Sequence, residues 1–69
     1  MDYNTLANIV SRYYIPKIDM NTFIHNLVEA AEIDYLHDNN NSLYSNGKLD
    51  TQIFESWLST KSLDKYDKE

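Results

Sequence analysis

Three side chains at helical spacing could in principle hold a divalent metal ion. His25, Glu29 and Glu32 follow one another at i, i+4 and i+7, which places them on one side of a helix. A closed metal site also needs ligands from neighbouring elements. The other predicted helices offer only carboxylates at their ends or on outer faces, namely Asp2, Asp50 and Glu55. We therefore predict a solvated polar face here, with no metal and no cofactor.

The segment 38–50 has the amide and acidic side chains of a calcium loop but not their spacing. With Gly47 at the glycine position of the EF-hand template, Ile53 falls where the template requires glutamate. With Asp38 at the first ligand position, Leu43 replaces the glycine. The segment is predicted to be a polar connector, in which the Asn-Gly pair favours a tight turn.

Nucleophilic catalysis is not indicated by the sequence. Such a site needs a base, an orienting group and an oxyanion pocket on a rigid scaffold. The serines fall on outer helix faces or in the polar connector, and a single glycine cannot build a phosphate-binding loop. The chain also has no cysteine, which excludes thiolate chemistry. We predict that the protein is not an enzyme.

Three stretches with apolar residues at a period of 3.6 predict an all-α fold. One glycine and one proline also favour helices over turn-rich β structure. We predict helices near 3–14, 20–33 and 50–61, packed as a small three-helix bundle with a polar loop between the second and third. Predicted N-caps are Asp2 for the first helix, and Asp19 or Asn21 for the second.

The apolar pattern of the second helix breaks after residue 31. If the helix continued, Asp34 and Asp38 would turn towards the core, and Ile33 and Leu36 would turn towards water. Either the helix ends or kinks near 32–34, or Ile33 and Leu36 contact another molecule. We favour an end or kink.

The chain is short enough to form one domain, which we place at residues 1–60. The domain is small, so its stability margin is thin. Trp57 and Phe54 are expected in its core. Residues 61–69 alternate charges and have little apolar content, so they are predicted to be a flexible, disordered tail.

Charge is the strongest indication of function. The net charge is -5, and no lysine or arginine occurs between Ile18 and Gly47. An acidic field repels nucleic acid and anionic lipid and attracts basic protein surfaces. No direct nucleic-acid or membrane partner is therefore expected. Without a signal peptide, a membrane span or cysteines, the predicted location is cytoplasmic.

These features predict a small acidic protein that binds a protein partner with a basic surface. Tyrosine is enriched at such interfaces, because its ring is apolar and its tip is polar. The predicted partner-binding residues are Glu29, Glu32, Asp34, Tyr35, Leu36, Asp38 and Tyr44. Nucleic-acid-binding proteins commonly have basic surfaces. Together with a composition typical of AT-rich coding sequence, this suggests a phage- or mobile-element-type inhibitor or regulator, including a nucleic-acid mimic.

Three alternatives remain open. A helix-turn-helix regulator is compatible with three short helices, although the charge opposes DNA binding. A self-associating structural subunit, such as a homodimer, could use Ile33 and Leu36. Finally, the acidic residues could serve only to keep the domain soluble.

Overall fold

The computed structural model describes residues 3–39, 44–45 and 47–68, with the backbone alone at 36–39 and 45. The chain is mostly helical, and three helices pack together as predicted. In chain order the elements are α1 (Tyr3–Val10), α2 (Met20–Asn39), β1 (Tyr44–Ser45), β2 (Lys48–Leu49), α3 (Thr51–Leu58) and a 3₁₀ helix (Leu63–Tyr66). The predicted cap Asp2 lies outside the described residues.

The core forms where the apolar faces of the three helices meet. Phe23 and Phe54 are completely buried at its centre, and the Phe23 ring stacks on Tyr14 with 5.4 Å between ring centroids. Trp57 is only 7% exposed, which confirms its predicted core position. The buried side chains are Leu6, Ile9, Val10, Phe23, Ile24, Leu27, Val28, Ala31, Phe54, Trp57, Leu58 and Leu63.

Helices α1 and α3 both end earlier than their sequence patterns suggest. In each, the last turn tightens into i to i+3 hydrogen bonds. After α1, the Tyr13 N–H donates to the Val10 carbonyl at 2.9 Å. After α3, the Lys61 N–H donates to the Leu58 carbonyl at 3.2 Å. Apolar residues that follow Val10 and polar ones that follow Leu58 thus lie in turns rather than in regular helix.

Helix α2 begins at one of its two predicted caps. The Asp19 carboxylate accepts the N–H groups of Asn21 and Thr22 at 3.1 and 3.3 Å. An N-cap acceptor of this kind satisfies backbone donors that have no partner within the helix. Asn21 itself lies inside the first turn.

Helix α2 does not end near 32–34, so that part of the prediction is wrong. The helix continues to Asn39. Asp34, which the helical phase turns towards the core, pairs with a lysine. The Asp34 carboxylate lies 3.7 Å from Lys61 Nζ, just beyond the end of α3. A charge at a core-facing phase is tolerated here because α2 extends past the apolar core and meets a lysine there.

A two-stranded hairpin connects α2 to α3. Strands β1 and β2 pair antiparallel, with Tyr44 opposite Leu49. The turn between them contains Gly47 at φ +78°, a conformation that other residues rarely adopt. Asn46 and Leu43, which we expected in the turn and the connector, lie outside the described residues. Asp50 then caps α3, because its carboxylate accepts the Gln52 and Ile53 N–H groups.

The predicted disordered tail is wrong for the part that the structure describes. Residues 62–68, here called the C-terminal segment, contain the 3₁₀ helix and pack against α2. Leu63 is 5% exposed, and the Tyr66 ring lies against Trp57 at 5.9 Å. Leu63 and Tyr66 are three residues apart, which puts both on one side of a 3₁₀ helix. Leu63 and Tyr66 thus supply the apolar contacts of a segment that is mostly polar in composition.

The carboxylate of Asp67 makes the stability of this docking dependent on pH. The pKa of Asp67 is lowered, mainly because the Lys17 N–H donates to it, with further contributions from the Ile18 N–H and the Tyr14 hydroxyl. Its stabilising effect is thus complete above the ordinary aspartate pKa of about 4 and is lost as pH falls through the lowered folded value. We expect Asp67→Asn to reduce stability at neutral pH.

Urea unfolding between pH 2 and 7 checks this expectation. The wild-type and Asp67→Asn curves should converge in strong acid, where Asp67 is protonated in both the folded and the unfolded chain. Asp64 lies in the same segment and is exposed, so Asp64→Asn is the control. A constant difference across the whole pH range would show that the charge of Asp67 is not involved.

Candidate protein-binding surface

The outer face of α2, defined here by His25, Glu29 and Ile33, is a stripe of exposed side chains at i, i+4 and i+8. The Glu29 side chain is 66% exposed, and its Oε1 lies 3.4 Å from His25 Nε2. Ile33 is 69% exposed, although it is a large aliphatic residue. An exposed isoleucine one turn after an exposed carboxylate gives this face both an apolar contact and a negative charge.

Glu32 lies beside this face and contacts the hairpin. The Tyr44 hydroxyl donates to Glu32 Oε1 at 2.7 Å. This hydrogen bond is the main reason that the pKa of Tyr44 is raised, and burial adds to it. The contact joins β1 to α2, so two predicted site residues, Glu32 and Tyr44, do come together.

Asp34 and Tyr35 belong to a different surface. Asp34 is roughly 140° around the helix from Glu29, because each residue turns an α-helix by about 100°. Its carboxylate pairs with Lys61, as described above. Tyr35 is half-buried and lines a shallow groove of about 500 Å³ along α3. The other lining residues are Gln52, Ile53, Ser56, Trp57, Thr60 and Lys61.

The predicted site is thus divided rather than continuous. Glu29, Glu32 and Tyr44 are on or beside the outer face of α2, whereas Tyr35 lines the α3 groove and Asp34 pairs with Lys61. Leu36 and Asp38 lie in the last turns of α2, and their side chains are outside the described part of the structure. Ile33 was recognised in the sequence as an apolar outlier, and its exposure makes it the most prominent feature of the face.

Much of the remaining acidic charge has a structural role. The Tyr13 hydroxyl donates to Glu55 at 2.7 Å, and Arg12 Nη1 lies 3.5 Å from the same carboxylate oxygen. This hydrogen bond raises the pKa of Tyr13. Asp19 and Asp50 cap helices, and Asp67 holds the C-terminal segment. Of these roles, the sequence predicted only the Asp19 cap, because the partners of Glu55 and Asp67 are distant in the chain.

Within 3–39, 44–45 and 47–68, no three histidine, aspartate or glutamate side chains form a cluster that could hold a metal ion. No helix in the same ranges is long and apolar enough to cross a membrane.

Comparison with known families, curated proteins and solved structures found no match to this chain.

Proposed function

We propose that this protein is a non-enzymatic binding protein whose outer α2 face docks onto a basic surface of another protein. One observation carries the proposal: Ile33 is 69% exposed on a face that also presents Glu29. The same part of the chain, from Ile18 to Gly47, contains no lysine or arginine that could neutralise the face from within.

The two kinds of side chain would contribute differently to binding. Burying an isoleucine side chain is worth about 1.5–3 kcal/mol, so Ile33 would supply affinity. Carboxylates around it would steer the encounter and raise the association rate, with a smaller effect on affinity. Glu32 would be held in place for this purpose by its hydrogen bond from Tyr44.

A basic protein surface fits this face better than nucleic acid or a lipid headgroup, since both of those are anionic. Nucleic-acid-binding proteins are the commonest owners of such surfaces. The proposal therefore includes an inhibitor or regulator of such a protein in the cytoplasm, of the phage or mobile-element type. If the protein is a nucleic-acid mimic, the outer face of α2 would bind at the site where the partner binds nucleic acid.

Self-association through the same face is the second candidate, because Ile33 is exposed. A two-fold dimer brings identical patches together, so residue contacts are reciprocal. With Ile33 at the centre, Glu29 of each copy would approach the acidic face of the other. Like charges across an interface oppose binding, and this favours a basic partner over a second copy.

Variants of the outer face test the proposal once a partner has been captured from the native host. We expect Glu29→Lys to slow association several-fold and Ile33→Ser to speed dissociation, as measured by surface plasmon resonance. Both side chains are mostly exposed, so stability should change by less than about 0.5 kcal/mol. Rising salt should weaken the wild-type interaction.

Asp64→Lys is the matched control, because it makes the same charge change at an exposed position on a different element. If Asp64→Lys weakens binding as much as Glu29→Lys does, only net charge matters and the face is not specific. If neither Glu29→Lys nor Ile33→Ser changes binding, the proposed face is wrong, and the α3 groove becomes the better candidate.

A further inference from the structure

The C-terminal segment is held in a groove by several different kinds of contact. The groove, here called the C-terminal groove, is formed by Tyr14, Lys17, Ile18, Asn26 and Trp57. It takes up a carboxylate, an aromatic ring and two main-chain carbonyls, while Leu63 packs into the apolar core. Known peptide-binding sites also combine hydrogen bonds to the main chain with pockets for particular side chains.

The carboxylate position of the groove is the most specific. The Lys17 N–H donates to Asp67 Oδ1 and Oδ2 at 3.0 and 2.9 Å, and the Ile18 N–H donates to Oδ1 at 3.0 Å. The Tyr14 hydroxyl donates to Oδ2 at 2.9 Å. Two successive backbone N–H groups that converge on one carboxylate form an anion-binding nest.

The other groove residues contact the segment on either side of Asp67. Asn26 Nδ2 donates to the carbonyls of Tyr66 and Lys68, at 3.0 and 2.9 Å. Because these hydrogen bonds reach main-chain carbonyls, they hold the end of the 3₁₀ helix without requiring particular side chains there. The Tyr66 ring packs on Trp57, and Leu63 enters the core, so these two positions demand apolar or aromatic side chains.

We propose that the C-terminal groove is a peptide-binding site for segments of the form Leu-x-x-Tyr-Asp, which residues 63–67 fill within the chain. A partner that presents such an acidic and aromatic segment would take the same place after the chain's own segment has left it. This site is separate from the outer face of α2, so it neither depends on the proposed function nor supports it.

The covalent connection decides how readily the exchange occurs. A tethered segment competes at an effective concentration that is of millimolar order for a short linker. A free peptide therefore cannot enter the groove of the intact chain at micromolar concentration. Weakening the tethered segment alone, without touching the groove, should open the site to the free peptide.

Asp67→Asn in the full chain makes this change, because it removes a carboxylate of the segment and leaves every groove residue in place. The probe is a synthetic peptide with the sequence of residues 60–69. We expect the peptide to shift the amide NMR signals of Lys17 and Ile18 in the labelled Asp67→Asn chain. The concentration required should be at least tenfold lower than for the wild-type chain.

Two variant peptides provide the matched comparison. A peptide with the Asp67→Asn change should bind the Asp67→Asn chain at least tenfold more weakly than the parent peptide. A peptide with the Asp64→Asn change should bind like the parent, because the Asp64 side chain is exposed. Equal binding of the parent and Asp67→Asn peptides, or no shift at Lys17 and Ile18 at millimolar peptide, would overturn the proposal.

If Asp67→Asn unfolds the chain, the proposal is tested with the wild-type chain instead. The peptide is then added to the wild-type chain at concentrations above the millimolar effective concentration of the chain's own segment. Shifts at Lys17 and Ile18 that the parent peptide causes and the Asp67→Asn peptide does not cause would support the site. Absence of such selective shifts there would refute it.

Discussion

Replacement of Trp57 by alanine is expected to lower the free energy of unfolding by about 3–5 kcal/mol. The indole is 7% exposed and packs between Phe54, at 6.3 Å, and Tyr66, at 5.9 Å. Its loss would leave a cavity where α3 meets the C-terminal segment. A domain of this size is stable by only several kcal/mol, so much of the variant should be unfolded. Urea denaturation followed by circular dichroism measures the change.

Trp57→Phe is the matched control for this prediction. It keeps a stacking ring and removes the indole Nε1, a buried donor without a hydrogen-bond partner in the described part of the structure. Removing an unsatisfied buried donor recovers part of the free energy lost with the smaller ring. We therefore expect a clearly smaller loss for Trp57→Phe than for Trp57→Ala. A tryptophan emission maximum like that of free tryptophan in water would contradict the core position itself.

Replacement of Leu63 by alanine should be nearly as damaging, at about 2–5 kcal/mol. Leu63 is 5% exposed and belongs to the same apolar cluster as the helices. The effect is large because the leucine holds the C-terminal segment against α2. A disordered tail would give no effect, so this substitution separates the two descriptions of residues 62–68.

Asp64→Ala tests whether the segment is merely sensitive to any change. Asp64 is the next residue along the chain and its side chain is exposed, so the expected change is within about 0.5 kcal/mol. Similar effects of the two substitutions would indicate that helicity of the segment, rather than packing of Leu63, is being measured. Hydrogen exchange at the Lys17 and Ile18 amides gives a second readout, since both are protected by Asp67.

The sequence was sufficient to predict the structural features that depend on residues close together in the chain. Helical periodicity located the three helices and most of the core, including Phe23 and Trp57. The Asp19 cap followed from the preference of aspartate for N-cap positions. The Asn-Gly pair correctly indicated a turn at Gly47, which adopts the positive φ that such turns require.

The sequence was insufficient where a partner is distant in the chain. Past residue 33 of α2, Asp34 pairs with Lys61, which is 27 positions later and cannot be found from periodicity. The ordering of the C-terminal segment depends on Tyr14, Lys17 and Ile18, about 50 positions earlier. The only local signal was the Leu63 and Tyr66 pair, at a spacing suited to a 3₁₀ helix.

The arrangement of the candidate site could not be predicted from the sequence. Charge alone indicated an acidic interaction surface. However, charge could not separate Glu29, which is exposed, from Glu55, which is occupied by Tyr13 and Arg12. Distinguishing the two requires knowing which hydroxyl or guanidinium reaches each carboxylate, and that is decided by tertiary packing.

The long separation between Asp67 and its donors also imposes an order on biosynthesis. The amides of Lys17 and Ile18 leave the ribosome about 50 residues before the carboxylate that they bind. At synthesis rates of roughly 5–20 residues per second, that interval is about 3–10 s. Trp57 is synthesised nine residues before Tyr66, so the indole lacks the ring that packs on it for about 0.5–2 s of this interval. The Lys17 and Ile18 amides thus lack their carboxylate partner until Asp67 has been synthesised, so the C-terminal segment can dock only after the three helices have been made.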